Sequence, residues 1–457
     1  MLARSNLCRG AQRAIRAQSQ QTRGLAAPAS GSFQYQSGEA KGVKFASRDL
    51  PGPTTSLALV SKAGTRYQPL PGLTEGLEKF AFRHTERRST LRITREAELL
   101  GAELNAYHTR ENLVLEAKFL RDDLPYFVEL LGEVAASTKF QSHVYNEEVL
   151  PLIHAAHKRY LANPTAMAVN SAHALAFHRG LGTPTSPSST TPYTKYLVPE
   201  TIEYFSKIAF AKPNFAIVAN GAKHEDLSNW VNQFFDQVPA SVTVEGGLAC
   251  TEQSKYYGGE ERIAHDGGNA MVLAFPGSSS FTGKFYKPEL AVLASLLGGN
   301  SHIKWSRGFS LLGKAKASDE TFVQTTSAIY SDAGLLYTLI KGSAKNVAAT
   351  AHTSVGVIQK VAAGEISKED IQKAKAAAKF KELENGQDPR AGLVLSGNGL
   401  VTGDKAYQID EVAKAIDGVT EQSVKAAAKT LLESKASVSA IGDLFVLPYA
   451  DELGLKV

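Results

Sequence analysis

A chain of 457 residues with 43% hydrophobic side chains is long enough for two domains with sizeable cores, and no run of about 18 apolar residues marks a membrane-spanning helix. Fifty Lys and Arg against 45 Asp and Glu give a formal charge of +5, yet Arg4, Arg9, Arg13, Arg16 and Arg23 all fall in the first 38 positions, which hold no acid. Without those five the charges balance, so the basic excess is no argument for nucleic-acid binding.

Residues 1–27 are predicted to be a mitochondrial presequence. On a helical wheel Arg9, Arg13 and Arg16 cluster while Leu7, Ala11, Ala14 and Ile15 lie opposite, although Leu2 and Arg4 depart from the pattern. The small residues after Arg23 suit cleavage between Gln21 and Ala27. A basic nucleic-acid arm is the rival reading, but such arms are usually Lys-rich and need no apolar face. Cys8 lies in this leader and leaves Cys250 alone, which excludes an internal disulfide or a cysteine metal cluster and fits a reducing compartment such as the mitochondrial matrix.

Thr55 to Ala63 is predicted as a strand, followed by a helix over residues 72–82, GLTEGLEKFAF. An inverted zinc peptidase needs His-x-x-Glu-His on such a helix, so that two imidazoles at i and i+4 share a face and the Glu can deprotonate the metal-bound water. Here the three positions hold Glu75, Glu78 and Lys79. Only the base survives, and an ammonium has no lone pair to give a cation. Glu75 and Lys79 are expected to form an i,i+4 ion pair on a solvated face, opposite buried Leu73, Leu77, Phe80 and Ala81.

A second helix is predicted over Arg95 to Leu104, leading through Asn105-Ala-Tyr-His to a strand in which Leu113, Leu115, Ala117 and Phe119 face a core, alternating with Val114, Glu116, Lys118 and Leu120. Asp122 or Asp123 can cap the next helix, which presents Leu124, Phe127, Leu130, Leu131 and Val134 at helical spacing. Thr183 to Thr194, rich in Thr, Ser and Pro, reads as a surface loop. The second half replays the order: a strand over Ala270 to Phe275, a helix over Lys287 to Leu297, a strand over Gly334 to Lys341 and a long helix from about Ser343 to Ala362. Val198-Pro-Glu-Thr-Ile and the strand Asn214 to Asn220 pair with Val419-Thr-Glu-Gln-Ser and Ser437 to Ile441. Two copies of one α+β module are expected, 35–237 and 260–457, with a Gly- and Pro-containing linker over 238–259.

Leader, degenerate His-x-x-Glu-His helix and duplicated module together resemble the pitrilysin-type family, which includes mitochondrial processing peptidase and the core proteins of ubiquinol-cytochrome c reductase. The stretch from Gly72 to Leu124 carries the family likeness. SLLGGNSHIKW (Ser295 to Trp305) and YSDAGLLYTLI (Tyr330 to Ile340) tilt it toward the core-protein branch. The resemblance implies an α+β fold of two similar domains, each a mainly antiparallel sheet flanked by helices, enclosing a cleft.

It also implies a further metal ligand in the active members, a Glu on a later helix. This chain has no acid between Glu148 and Glu200, and alignment puts Arg159 at or near the missing carboxylate. His154 with His157 and His173 with His178 lie in that acid-free stretch, with no carboxylate to complete or orient a site. They, His84 and His108 are read as structural. Gly298-Gly299 and Gly246-Gly247 lack the spacing of a phosphate loop. Asn300 to Phe309, with Lys304, Trp305, Arg307 and one glycine, is unlike the glycine-dense loop of the non-catalytic processing-peptidase subunit. No haem, iron-sulfur or flavin ligands stand out. No catalytic, cofactor-binding or metal-binding residue is therefore assigned.

The resemblance implies a non-catalytic structural core subunit that supports assembly and stability of respiratory complex III. The implied partners are a paralogous core protein 1 or processing-peptidase beta-like subunit, cytochrome b, cytochrome c1 and the Rieske protein, in a homodimeric complex, peripheral on the matrix side of the inner membrane and without nucleic acid. The rivals are a processing-peptidase subunit that cleaves presequences, or a module that binds them for a catalytic partner.

Overall fold

A computed structural model describes residues 34–240 and 253–457, apart from single positions 284, 302, 304, 305 and 404. The predicted leader, most of the expected linker, Cys250, and His302, Lys304 and Trp305 of the SLLGGNSHIKW stretch fall outside the described residues. Helices of eight residues or more are numbered here. The N-terminal half contains β1 (Gln36–Ala40), β2 (Val43–Arg48), β3 (Thr54–Ser61), α1 (Leu73–Phe80), α2 (Thr90–Leu99), β4 (Glu103–His108), β5 (Leu113–Leu120), α3 (Leu124–Ser137), α4 (Leu150–Leu161), α5 (Pro164–Phe177), α6 (Pro199–Ala209), β6 (Phe215–Asn220) and α7 (His224–Phe234). The C-terminal half contains β7 (Gly259–Ala264), β8 (Asn269–Pro276), α8 (Pro288–Leu297), β9 (Phe322–Ile329), β10 (Gly334–Gly342), α9 (Ala344–Ala363), α10 (Lys368–Gln387), α11 (Pro389–Gly403), α12 (Ile409–Asp417), α13 (Glu421–Glu433) and β11 (Ser437–Gly442).

The strand orders are β1-β2-β6-β3-β5-β4 and β7-β11-β8-β10-β9. Set β1 aside and the two are the same sheet twice. In each, one parallel pair, β2 with β6 or β7 with β11, joins an otherwise antiparallel array. The fold class expected from the sequence is the one observed: two α+β units, mainly antiparallel. The paired starts of α6 and α13 also match, because the backbone N–H of Val198 donates to Thr201 and that of Thr420 to Ser423, at 3.2 and 3.1 Å. Each side chain satisfies one donor that the helix itself leaves free.

The inner faces of the sheets hold the two large cores. Phe45, Leu57, Leu59, Leu115 and Phe119 pack beneath α1, α3 and α6, and Met271, Leu273, Phe275, Leu336 and Ile340 beneath α8, α9 and α13. Burying one such side chain contributes about 1.5–3 kcal/mol. The outer faces are covered crosswise. From the C-terminal half, α11 lays Leu393, Leu400 and Val401 on Ala58, Val60, Val114 and Val218. From the N-terminal half, α5 lays Met167, Ala168, Ala172 and Ala176 on Ala270, Val272, Leu335 and Ile441.

This exchange corrects the expectation that the β5 alternation separates core from solvent. Val114 and Glu116 are 0% and 2% exposed, because α11 covers them and Arg390 donates to Glu116 at 2.9 Å. A strand buried on both faces loses the alternation that a one-sided sheet displays.

Two helical boundaries also differ from expectation. α2 starts earlier than Arg95, since the Ser89 hydroxyl accepts from the Arg92 N–H at 3.3 Å and caps it. It ends before Gly101, whose φ of +65° is left-handed, and Glu103 and Leu104 belong to β4.

Candidate functional site

The degenerate motif lies on α1, and three contacts hold that helix in place. Leu73, Leu77 and Phe80 sink into the core. Gly76 faces α6 so closely that a Cβ there would stand 2.8 Å from Ile202 Cδ1. Gly72, at φ +92°, turns the chain into the helix. Approach to α6 at Gly76 aims the neighbouring Glu75 inward.

The solvated ion pair expected of Glu75 and Lys79 is not formed. Glu75 is 3% exposed and accepts from the Tyr193 hydroxyl at 3.0 Å. Burial pushes its carboxyl above the ordinary range, with the Tyr193 hydrogen bond pulling the other way. Lys79 instead reaches back to Glu78, its sequence neighbour. The i,i+4 rule assumes that both side chains can swing over a wet surface, and packing against Tyr193 removes that freedom from Glu75.

Glu78 is held from two sides, by Lys79 on one carboxylate oxygen and by His108 Nδ1 on the other. His108 stands at the end of β4, and its Nε2 lies 3.0 Å from the Thr185 carbonyl oxygen. Both ring nitrogens face oxygen acceptors, an arrangement that favours the doubly protonated, charged ring. Burial disfavours that charge, but the Glu78 hydrogen bond and charge outweigh it and raise the His108 pKa. Burial likewise works against the Glu78 carboxylate, and the His108 hydrogen bond, with the charges of His108 and Lys79, holds its pKa below the ordinary range. A carboxylate clamped between two cations is a poor proton acceptor, the opposite of what a general base requires.

Helix α4 carries the stretch where the remote acid of a peptidase would be expected. Arg159, which the alignment sets at or near the missing ligand, is exposed on that helix. Buried His157 on the same helix packs edge-on to Tyr193, with ring centroids 5.4 Å apart, and His154 does so at 6.1 Å. The other histidines are dispersed. His173 meets Tyr330 at 2.8 Å between the halves, His178 stacks on Tyr257, and His84 Nδ1 accepts from the Thr90 N–H. Among the described residues no three His, Cys, Asp or Glu side chains are placed to share a metal ion.

The loop 183–194 is exposed over 188–191 and at Thr194, as a surface loop should be, and its remaining residues close the pocket. Thr185 supplies the carbonyl for His108, Thr183 accepts from buried Arg110 at 2.6 Å, and Tyr193 is 4% exposed. Nothing in the loop's composition distinguishes Tyr193, which is a partner of Glu75 only across 118 positions of sequence. Beside α1 a groove of about 420 Å³ remains, bordered by Lys79, Ile93, Ala97, Leu104 and Leu152, with Glu78 at its floor and edge strand β4 along one side.

Residues 44–186 match the family described as Insulinase (Peptidase family M16), and residues 198–378 match the one described as Peptidase M16 inactive domain. Three mitochondrial proteins named cytochrome b-c1 complex subunit 2 are similar to the chain. That of Neurospora crassa is 50% identical over 100% of both chains. That of Schizosaccharomyces pombe is 37% identical over 92% of this chain and 95% of its own, and that of Homo sapiens is 27% identical over 90% of each.

Proposed function

Because the chain belongs to the M16 peptidase family, whose pitrilysin-type fold it repeats twice, we propose that it serves as a non-catalytic core subunit of the mitochondrial cytochrome b-c1 complex. The observation that carries this reading is the neutralisation of Glu78 by Lys79 and His108, where a peptidase of this family would hold zinc. A base without a metal has no water to activate. End-to-end identity of 50% with a protein named subunit 2 of that complex points the same way. The chain is then a scaffold of two domains, 35–237 and 260–457, each owning one sheet.

On this reading it pairs with a paralogous core subunit and stands near cytochrome b, cytochrome c1 and the Rieske protein in a homodimeric complex. It lies peripherally on the matrix side of the inner membrane, reached by way of the leader 1–27. No helix among the described residues is long and apolar enough to cross a membrane. Native-gel separation of detergent-solubilised mitochondria, with this chain followed by mass spectrometry, tests the assignment. Comigration with cytochrome b and the Rieske protein is expected, and a soluble heterodimer alone would return the chain to processing peptidase.

The groove beside β4 favours a second reading, capture of a presequence-like peptide. Titration of the purified chain with an Arg-containing presequence peptide tests it. Salt-sensitive binding weakened by Glu98→Gln, a change in the lining of the groove, would support it, and absence of binding would dispose of it.

A further inference from the structure

After β11 the chain makes a tight loop over 443–450 that combines unusual exposure with unusual rigidity. Phe445 is 102% exposed, Tyr449 52% and Val446 37%, so three large apolar side chains stand together in water on eight residues. Such a cluster is costly to keep unless something covers it. The loop beneath is braced rather than loose. Arg262, on edge strand β7, donates to the carbonyl oxygens of Leu444, Leu447 and Pro448 at 2.8, 2.8 and 2.9 Å. Its guanidinium lies 3.7 Å from the centre of the Tyr449 ring.

Carboxylates fix the remaining backbone. Asp443 accepts from the Phe445 N–H at 3.1 Å, Glu452 from the Tyr449 N–H at 3.2 Å and Glu260 from the Ala450 N–H at 3.2 Å. Leu447, Ala450 and Leu453 anchor the segment in the core of the C-terminal half. The aromatic cluster is thus pre-organised, which lowers the entropic cost of docking. The exposed acids Asp443, Asp451 and Glu452 border the cluster, while the guanidinium of Arg262 is engaged by the loop's own carbonyl oxygens and the Tyr449 ring.

Resting on the reading of the chain as a subunit of a larger assembly, the geometry points to the 443–452 loop as a docking knob for another subunit of that assembly, one offering an apolar socket for the Phe445 ring and a rim of Lys or Arg side chains. Exposed aromatic anchors surrounded by complementary charge are the usual centres of binding energy at interfaces. Among the described residues nothing covers the Phe445 ring, which leaves it free for an external contact.

The test uses the full chain in mitochondria, with a photo-crosslinking phenylalanine analogue at position 445 and, separately, Phe445→Asp and Asp451→Lys. Where the parent chain comigrates with the assembly, the expected crosslink is to an apolar segment of a different polypeptide flanked by Lys or Arg. Phe445→Asp should lower incorporation about tenfold or more, and Asp451→Lys should weaken it in a salt-dependent way, while both purified variants keep the parent's thermal midpoint. A crosslink to a second copy of this chain or to lipid, no crosslink at all, or full incorporation of Phe445→Asp would each overturn the docking knob and leave the scaffold reading standing. A parent chain found in no assembly would remove both.

Discussion

Arg66 and Asp332 join the two halves of the chain by a paired hydrogen bond of 2.6 and 2.7 Å between a guanidinium and a carboxylate 266 positions apart. Arg66 follows β3 and Asp332 sits in the β9–β10 turn. Glu111, in the β4–β5 turn, completes the cluster by accepting from Arg66 at 2.8 Å and from the Ser331 N–H at 2.9 Å. The hairpin tips of the two sheets are thus tied together by charge, while α5 and α11 tie the sheet faces together by apolar contact.

Asp332→Ala removes one of the two carboxylates that the described residues place against the buried Arg66 guanidinium, the other being Glu111. Removing one partner of a buried ion pair costs about 3–5 kcal/mol, and because Asp332 is partly exposed the lower end is expected. A fall in the thermal midpoint of several degrees, measured by circular dichroism, checks this, and an unchanged midpoint would show that the halves do not depend on the tie.

The crosswise helices predict an effect from one methyl group. A Cβ on Gly397 of α11 would stand 2.5 Å from Val60 Cγ2. Gly397→Ala should therefore destabilise the joined halves by about 1–3 kcal/mol through overpacking. Val60→Ala in the same chain should recover most of the loss, and failure of that rescue in a double-mutant cycle would place the strain elsewhere.

The Glu78–His108 pair predicts a pH window. Glu78 is held below its ordinary 4.5, so its contribution is present above that value and lost as pH falls through its depressed folded pKa. His108 is held above its ordinary 6.5, so its contribution is complete below 6.5 and lost as pH rises through its raised folded pKa. The pair is strongest between about pH 5 and 6.5. His108→Gln should flatten the decline of thermal midpoint above that window, and a parallel decline in parent and variant would contradict the pairing.

Glu75 has the opposite sign to Glu78. Its folded pKa is raised, so ionisation costs stability once the pH exceeds 4.5. Glu75→Gln keeps an acceptor for Tyr193 and removes the charge; its midpoint should exceed the parent's at pH 8 and equal it at pH 4. Tyr193→Phe, by contrast, strips Glu75 of its donor and should cost about 1–3 kcal/mol. Equal effects of the two substitutions would mean that the hydroxyl does not serve Glu75.

Restoring the motif should restore metal without chemistry. Glu75→His with Lys79→His rebuilds two imidazoles around Glu78, but α4 turns His157 rather than a carboxylate toward the pocket. Zinc retained by the double variant through gel filtration is expected, together with no cleavage of an Arg-containing presequence peptide. Cleavage would show that the remote acid is dispensable.

Much of this was legible in the residues themselves. The His-x-x-Glu-His lesion needs only the identities of Glu75 and Lys79, the absent remote ligand only the acid-free run to Glu200, and the duplication only the order of apolar patterns. Such features are local, and local chemistry is written in adjacent positions. The i,i+4 spacing of Glu75 and Lys79 does not reveal their true partners, because spacing on a helix does not say which face other elements will cover.

The partners that decide the state of the pocket, Tyr193 for Glu75 and His108 for Glu78, stand 118 and 30 positions away, and no periodicity connects them. The burial of both faces of each sheet likewise depended on helices lent by the opposite half. Composition determined that this chain lacks a peptidase's ligands. Only long-range packing, which brings together charges and faces that the chain order separates, decided that Glu75 would be buried against Tyr193, that Glu78 would be paired with His108, and that the halves would be locked to each other.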